Sequence, residues 1–268
     1  GQRRRVEASG MRGKTILTRA MTAILTVGVS MGANAGLFGI GGMSWKEEVL
    51  LHDGTKIVAE RSQSYGGRHE IGQTPPIKEQ GITFTVPGSG ERIAWKSEYG
   101  EDIGRANFIA LALHILNGVP YIVAEPHLCL SYNKWGRPNP PYVVFKYEGK
   151  ERKRIPLQEL PGELKDINLV ISTKAEERTI TAQSPVSADL VKKLNRRLTQ
   201  PEYRSILREP VKADKYGCPE MVPDGNGGWV GIGWFRDQPS HEACLKYCAR
   251  NRIETQYCPC NRFFEGGK

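Results

Sequence analysis

A chain of 268 residues is long enough for one large domain or two modest ones, and its 30 glycines and 17 prolines point to many turns. The formal net charge of +9 suggests nucleic acid until it is located. Arg3, Arg4, Arg5, Arg12, Lys14 and Arg19 against Glu7 place +5 of it in residues 1–35 and leave +4 for the rest, which argues against DNA or RNA as a partner.

The leader has the order of a secretory signal. Met11–Arg19 is basic, Ala20–Met31 is apolar and uncharged, and Gly32-Ala33-Asn34-Ala35 supplies a small-x-small cleavage site. The reading is a start at Met11, a cleavable signal over residues 11–35 and a mature chain from Gly36. It implies a periplasmic or secreted protein. The competing reading is an uncleaved inner-membrane anchor, because no charge appears between Ala20 and Trp45. The membrane is then touched only through the leader.

Residues 36–172 read as an antiparallel β domain, a meander or a sandwich. Trp45–Arg61 is a hairpin around His52-Asp53-Gly54. Ser62–Gln80, with Gly66-Gly67 and Pro75-Pro76, reads as a surface loop. Ile82–Val86 and Arg92–Glu98 pair around Pro87–Gly90. Ala106–Leu116 and Val119–Glu125 pair around Asn117-Gly118, a strong turn dipeptide. Pro126–Pro141 reads as a second long loop. Tyr142–Tyr147 and Glu151–Ile155 make a fourth pair, and Ile167–Ile171 a last strand.

Two stretches in this half, Trp45-Lys-Glu-Glu-Val49-x-Leu51-x-Asp53-Gly54 and Pro141–Lys150 with Arg154-Ile-Pro-Leu157, resemble an uncharacterised family of exported proteobacterial proteins. The resemblance covers most of the mature chain. It implies export and carries no activity.

Residues 187–268 read as a helical segment followed by a cysteine-rich αβ module, after a linker over Thr173–Val186. Ser187 caps a helix over Ala188–Leu198 whose apolar residues share one face, and Thr199–Glu202 has capping-box spacing for a short helix through Leu207. Trp229–Phe235 reads as a strand. Glycines beside Trp229, Trp234 and Phe235 leave flat hollows that suit a sugar ring or a proline-rich peptide, or close packing of a neighbouring element. Ser240 caps a helix over His241–Asn251, and Tyr257–Phe263 reads as the final strand.

Four of the six cysteines fall in this last stretch. Cys244 and Cys248 are one helical turn apart, and Cys258 and Cys260 share one face of an extended segment. Two disulfides can join such a helix to such a strand. A zinc site from His241, Cys244, Cys248, Cys258 and Cys260 is the alternative. The signal-like leader favours disulfides, because thiols oxidise in an exported protein. Cys129 and Cys218 remain as a third pair. The helix-strand arrangement resembles the cysteine-stabilised αβ motif, which implies Cys244–Cys258 and Cys248–Cys260.

Familiar catalytic signatures are missing: there is no Gly-x-Ser-x-Gly, His-Glu-x-x-His or Walker loop. His69, Glu125 and His127 are the catalytic candidates, because loops that follow strands often carry such groups. His114 sits in an apolar run and reads as a core histidine. No cofactor is implied. The sequence points to an α+β, disulfide-stabilised, exported protein that binds an envelope protein or polymer. The alternatives are a small periplasmic hydrolase and a zinc-stabilised interaction protein.

Overall fold

Period-two alternation builds the first sheet. Met43, Trp45, Glu47 and Val49 point inward from a strand of nine residues, while their neighbours meet solvent. This strand, β1 (Gly42–Leu50), turns at Asp53-Gly54 into β2 (Lys56–Tyr65), with β3 (Ile77–Thr85) and β4 (Arg92–Lys96) following in order. A short pair, β5 (Tyr99–Gly100) and β6 (Arg105–Ala106), leads to the second sheet. That sheet consists of β7 (Phe108–Leu116), β8 (Val119–Pro126), β9 (Val143–Glu148) and β10 (Glu151–Ile155), again in simple up-and-down order. The computed structural model describes residues 41–212 and 217–264, all within one compact unit. The leader, its cleavage site after Ala35 and the anchor alternative as far as residue 40 lie outside them. Among the described residues no helix is long and apolar enough to cross a membrane.

The two meanders face each other as a sandwich. Val49, Ile82, Phe84, Ile93 and Trp95 from the first sheet meet Phe108, Leu113, Ile122 and Phe145 from the second in one apolar cluster. The sequence predicts α+β with an antiparallel β-rich domain, and that is the architecture seen. In the second sheet β7 and β8 are buried on both faces, which explains why β7 is apolar almost throughout, while β10 is largely exposed. Its outer face packs against irregular chain from Leu157–Ile171 and Tyr203–Leu207. At Asn117-Gly118 both residues have positive φ, 52° and 77°, the geometry of the tight hairpin that this dipeptide predicts.

Open strand edges are covered in two ways. Val186 pairs in parallel with β1, exchanging backbone bonds of 2.8 Å with Glu48 and Lys46. On β7 a bulge between Ala110 and Ala112 breaks the ladder. On the open edge of β7, away from β8, the Asn168 side chain meets the backbone of Leu113, its Oδ1 accepting from Leu113 N at 2.9 Å and its Nδ2 donating to Leu113 O at 2.7 Å, and Leu169 N donates to Leu111 O at 3.2 Å. Ile167–Ile171 is therefore buried chain rather than the predicted last strand, because its neighbour's free backbone groups are met by a side chain.

Helices fill in around this frame. α1 (Leu128–Lys134) occupies the stretch predicted as a loop, and α2 (Glu177–Thr181) lies in the predicted linker. α3 (Ala188–Asn195) has its predicted cap, with Ser187 Oγ accepting from Leu190 N at 3.3 Å. With α2 it packs on Met43 and Trp45 at the end of β1. The short helix predicted through Leu207 is one 3-10 turn, Pro201–Tyr203.

The C-terminal module opens with a two-stranded hairpin, β11 (Met221–Pro223) and β12 (Trp229–Gly231). α4 (Gly233–Arg236), α5 (His241–Arg250) and α6 (Cys260–Phe264) follow. Two predictions change here. The strand over Trp229–Phe235 ends at Gly231 and turns into α4, which buries Phe235 and turns Trp234 outward. The final strand over Tyr257–Phe263 is a turn and α6, with Pro259 immediately before the helix. Proline's fixed φ and missing N–H suit a helix start and not a strand interior.

Candidate functional site

Three groups of residues carry chemistry: an acid at the end of β8, an aromatic face on the C-terminal module, and the sulfurs.

Glu125 continues the outward-facing row of β8 that includes Tyr121 and Val123. Both of its carboxyl oxygens meet the Tyr203 hydroxyl, at 3.0 and 2.9 Å. Burial, with a smaller contribution from the nearby Glu202 carboxylate, pushes the Glu125 carboxyl up to about 8, while the Tyr203 bond works the other way. At neutral pH this group is mostly the uncharged acid. Tyr142 stands beside it and donates to Glu202 O at 2.8 Å, so two tyrosines fasten the 201–208 segment onto the sheet.

His127 lies two residues on, at the N-terminal end of α1. Burial and the positive charge of Arg105 bring its imidazole down to about 4, so it is neutral at physiological pH. Among the described residues no hydrogen bond joins His127 to Glu125. His69 is exposed, and its Nδ1 meets Gly67 O at 2.7 Å. Gly67, at φ +94°, lies so close to Gly104 O that a Cβ there would come within 2.2 Å, which fixes this loop on the β5–β6 pair. No hydrogen bond joins His69 to either of the other candidates. His114 is buried, and its Nε2 meets Asp166 O at 2.8 Å.

Two open clefts, of about 480 and 570 Å³, meet at Leu157 and Gln158. One is lined by Pro138, Pro140, Tyr142 and Arg154, the other by Leu160, Lys165, Ser205 and Arg208. Glu125, His127 and His69 line neither.

The aromatic candidates separate. Phe235 is fully buried and meets the Tyr247 ring edge-on at 5.3 Å. Trp229 is half-buried and donates from Nε1 to Asp102 O at 3.3 Å. Trp234 is 64% exposed and lies against Gly231. Leu245 and Tyr257 of the same module are also exposed, and Trp234 is the exposed member of the predicted trio.

All six cysteines are paired: Cys129–Cys218, Cys244–Cys260 and Cys248–Cys258. The last two correct the Cys244–Cys258 and Cys248–Cys260 pairs implied by the αβ-motif resemblance. The physical reason is direction. The chain leaves α5, turns at Ile253 and comes back antiparallel to it, so the early Cys258 reaches the near end of α5 and the later Cys260 the far end. The two bridges are nested, with separations of 10 and 16 residues. The third bridge ties the module to α1. Asn133 reinforces it with bonds of 3.0 Å to Pro219 O and Met221 N. His241 Nε2 meets Asn261 Oδ1 at 2.8 Å, away from the sulfurs.

Sequence reasoning missed a buried ion pair. Glu47 and Arg61 are wholly enclosed and joined, with Trp45 Nε1 donating to Glu47 at 2.8 Å and the Arg61 guanidinium 5.0 Å from the Trp45 ring. The signal was present, since Glu47 shares its parity with Trp45 and Val49.

Comparison with protein-family models, with curated proteins and with solved structures finds no match for this chain. Fold and site together define a disulfide-stabilised α+β protein built on a two-sheet antiparallel sandwich.

Proposed function

We propose that the protein is exported and acts as a binding or structural component of the cell envelope, in the periplasm or outside the cell. Its partner is an envelope protein or polymer, engaged through the apolar side chains of the C-terminal module around Trp234. The observation that carries this reading is the pairing of all six cysteines. Disulfides persist in oxidising compartments, and a module of this size needs them. The reading assigns the protein no nucleic acid, and no membrane contact apart from an uncleaved leader.

Two experiments test it. Thiol titration of the denatured, unreduced protein taken from its cells is expected to find no free thiols; six would oppose export. Sedimentation with isolated cell-wall sacculi, and separately with envelope membrane vesicles, is expected to carry down the protein but not its Trp234→Ala variant. Equal behaviour of the two proteins would contradict a role for this face.

A periplasmic hydrolase is the second reading, and one observation favours it. An acid that stays protonated at neutral pH is what a general acid requires, and Glu125 is such an acid. That reading expects Glu125→Gln to abolish turnover of an envelope ester, amide or glycoside. The binding reading expects no turnover by either protein.

A further inference from the structure

The two disulfides of the C-terminal module are in contact with each other. Cys260 Sγ lies 3.4 Å from Cys258 Sγ and 3.6 Å from Cys248 Sγ, neither of which is its bonded partner. The sulfurs of Cys248, Cys258 and Cys260 all fall within 4.8 Å of one another, and Cys244 joins them through its bond to Cys260. Three sulfurs therefore converge between α5 and the start of α6, and the fourth, Cys244, is one bond away from Cys260. Cys244, Cys248 and Cys260 are buried there against Phe235 and Ile253.

This convergence has a chemical meaning when the bridges are open. In a tetrahedral zinc–thiolate centre with Zn–S near 2.3 Å, neighbouring sulfurs stand about 3.8 Å apart. The two non-bonded separations of Cys260, 3.4 and 3.6 Å, are already close to that edge. We propose that the reduced C-terminal module is a four-thiolate zinc site, made by Cys244, Cys248, Cys258 and Cys260. The module then has two closed forms, one held by two disulfides and one held by a metal.

The conversion balances. Each disulfide takes two electrons from the reductant and two protons, which a dithiol supplies itself and which come from water when the reductant is a phosphine. A dithiol becomes its own disulfide, and a phosphine its oxide with oxygen from water. The four thiols formed release four protons as they bind one Zn²⁺, leaving a centre of charge −2. Soft thiolates in tetrahedral array select zinc over magnesium or calcium. The metal does for the reduced module what the bridges do for the oxidised one: it closes chain that has too small an apolar core to close by itself. His241 takes no part, because its ring is held on Asn261. This inference does not rest on the export reading, since thiol titration reads export and metal binding reads the site.

The test uses the full chain, reduced by a phosphine without oxygen, freed of reductant and titrated with Co²⁺. One cobalt per chain is expected, with the intense visible bands of tetrahedral cobalt–thiolate, and one equivalent of Zn²⁺ should displace it. The same bands are expected in Cys129→Ser and should be lost in Cys248→Ser. A pale octahedral spectrum, or bands that survive Cys248→Ser, would overturn the proposal. Loss of helix on reduction leaves a second readout, circular dichroism. Zinc is expected to restore the helical signal in the wild type and not in Cys248→Ser, and its failure to do so in the wild type would also overturn the site.

Discussion

Among the described residues, eighteen buried side chains make up the core between the two sheets, whereas five make up that of the C-terminal module, and three of those five are cysteines. The sandwich has enough interior to hold itself by apolar burial, with tilted aromatic contacts such as Phe108–Trp135 at 4.5 Å inside it. The module, from Cys218 to Phe264, is mostly surface, as short chains are. Its shape therefore depends on bonds that restrict the unfolded chain more than on burial. The difference teaches where each region is vulnerable. The sandwich should fail when a buried group loses its partner, and the module when its sulfurs are removed.

The largest effect is expected in the sandwich. Glu47→Ala leaves the Arg61 guanidinium enclosed without a counter-charge, and it should cost about 3–5 kcal/mol in urea unfolding followed by tryptophan fluorescence. The double change Glu47→Leu with Arg61→Met is expected to recover most of that loss, because the pair's own desolvation cost goes with it. A double variant as unstable as the single would count against the buried-charge explanation.

Removing one bridge from the module should cost less and stay local. Cys248→Ala with Cys258→Ala opens a 10-residue loop, for which chain entropy suggests about 2–3 kcal/mol. Hydrogen exchange is expected to rise across residues 218–264 and to leave the β7, β8 and β9 amides unchanged. Faster exchange in the sandwich as well would mean that the two regions unfold as one.

The outer layer gives a pH-dependent test of the same contrast. Glu125 holds its proton up to about pH 8 in the fold and releases it in the ordinary carboxyl range when unfolded. Between those values the folded state binds more protons, so stability falls as pH rises. His127, brought down to about 4, acts in the opposite sense, but only below its ordinary value near 6.5. From pH 6.5 to 8 the Glu125 slope stands apart from the histidine. The urea midpoint is expected to drop over that interval and to flatten in Glu125→Gln. A slope that survives the substitution would assign the effect to another group.

The smallest effect concerns a cap. Ser240 Oγ accepts from Ala243 N at 3.2 Å, so Ser240→Ala should lower module stability by about 1 kcal/mol. Hydrogen exchange in α5 would register it, and unchanged protection of Ala243 would speak against the cap.

Much of the sandwich was legible because its signals are local. Asp53-Gly54 and Asn117-Gly118 fix two hairpins, and the inward parity of Ile82 and Phe84 fixes a face. Ser187 and Ser240 start their helices as expected. What was not legible depends on distant partners. α1 has no side-chain cap bond of its own, and it is held in place by Cys129–Cys218 and Asn133. The chain around Asn168 borrows a ladder from β7 and so needs no strand pattern of its own. The sulfur pairing turned on the direction in which the chain returns along α5, which spacing alone does not encode. Of the candidate site, Glu125 was found by its position near the end of a strand, but its raised pKa comes from burial, with a smaller push from Glu202, and depends on the packing of a segment far along the chain.

The most direct test of the contrast between the two regions is a disulfide map of the unreduced, full-length protein. Fragmentation at the Cys258–Pro259 bond separates the two closely spaced sulfurs for assignment. The account expects Cys129–Cys218, Cys244–Cys260 and Cys248–Cys258 with no free thiol. Free thiols at Cys244, Cys248, Cys258 and Cys260 in a module that remains folded without metal would contradict it.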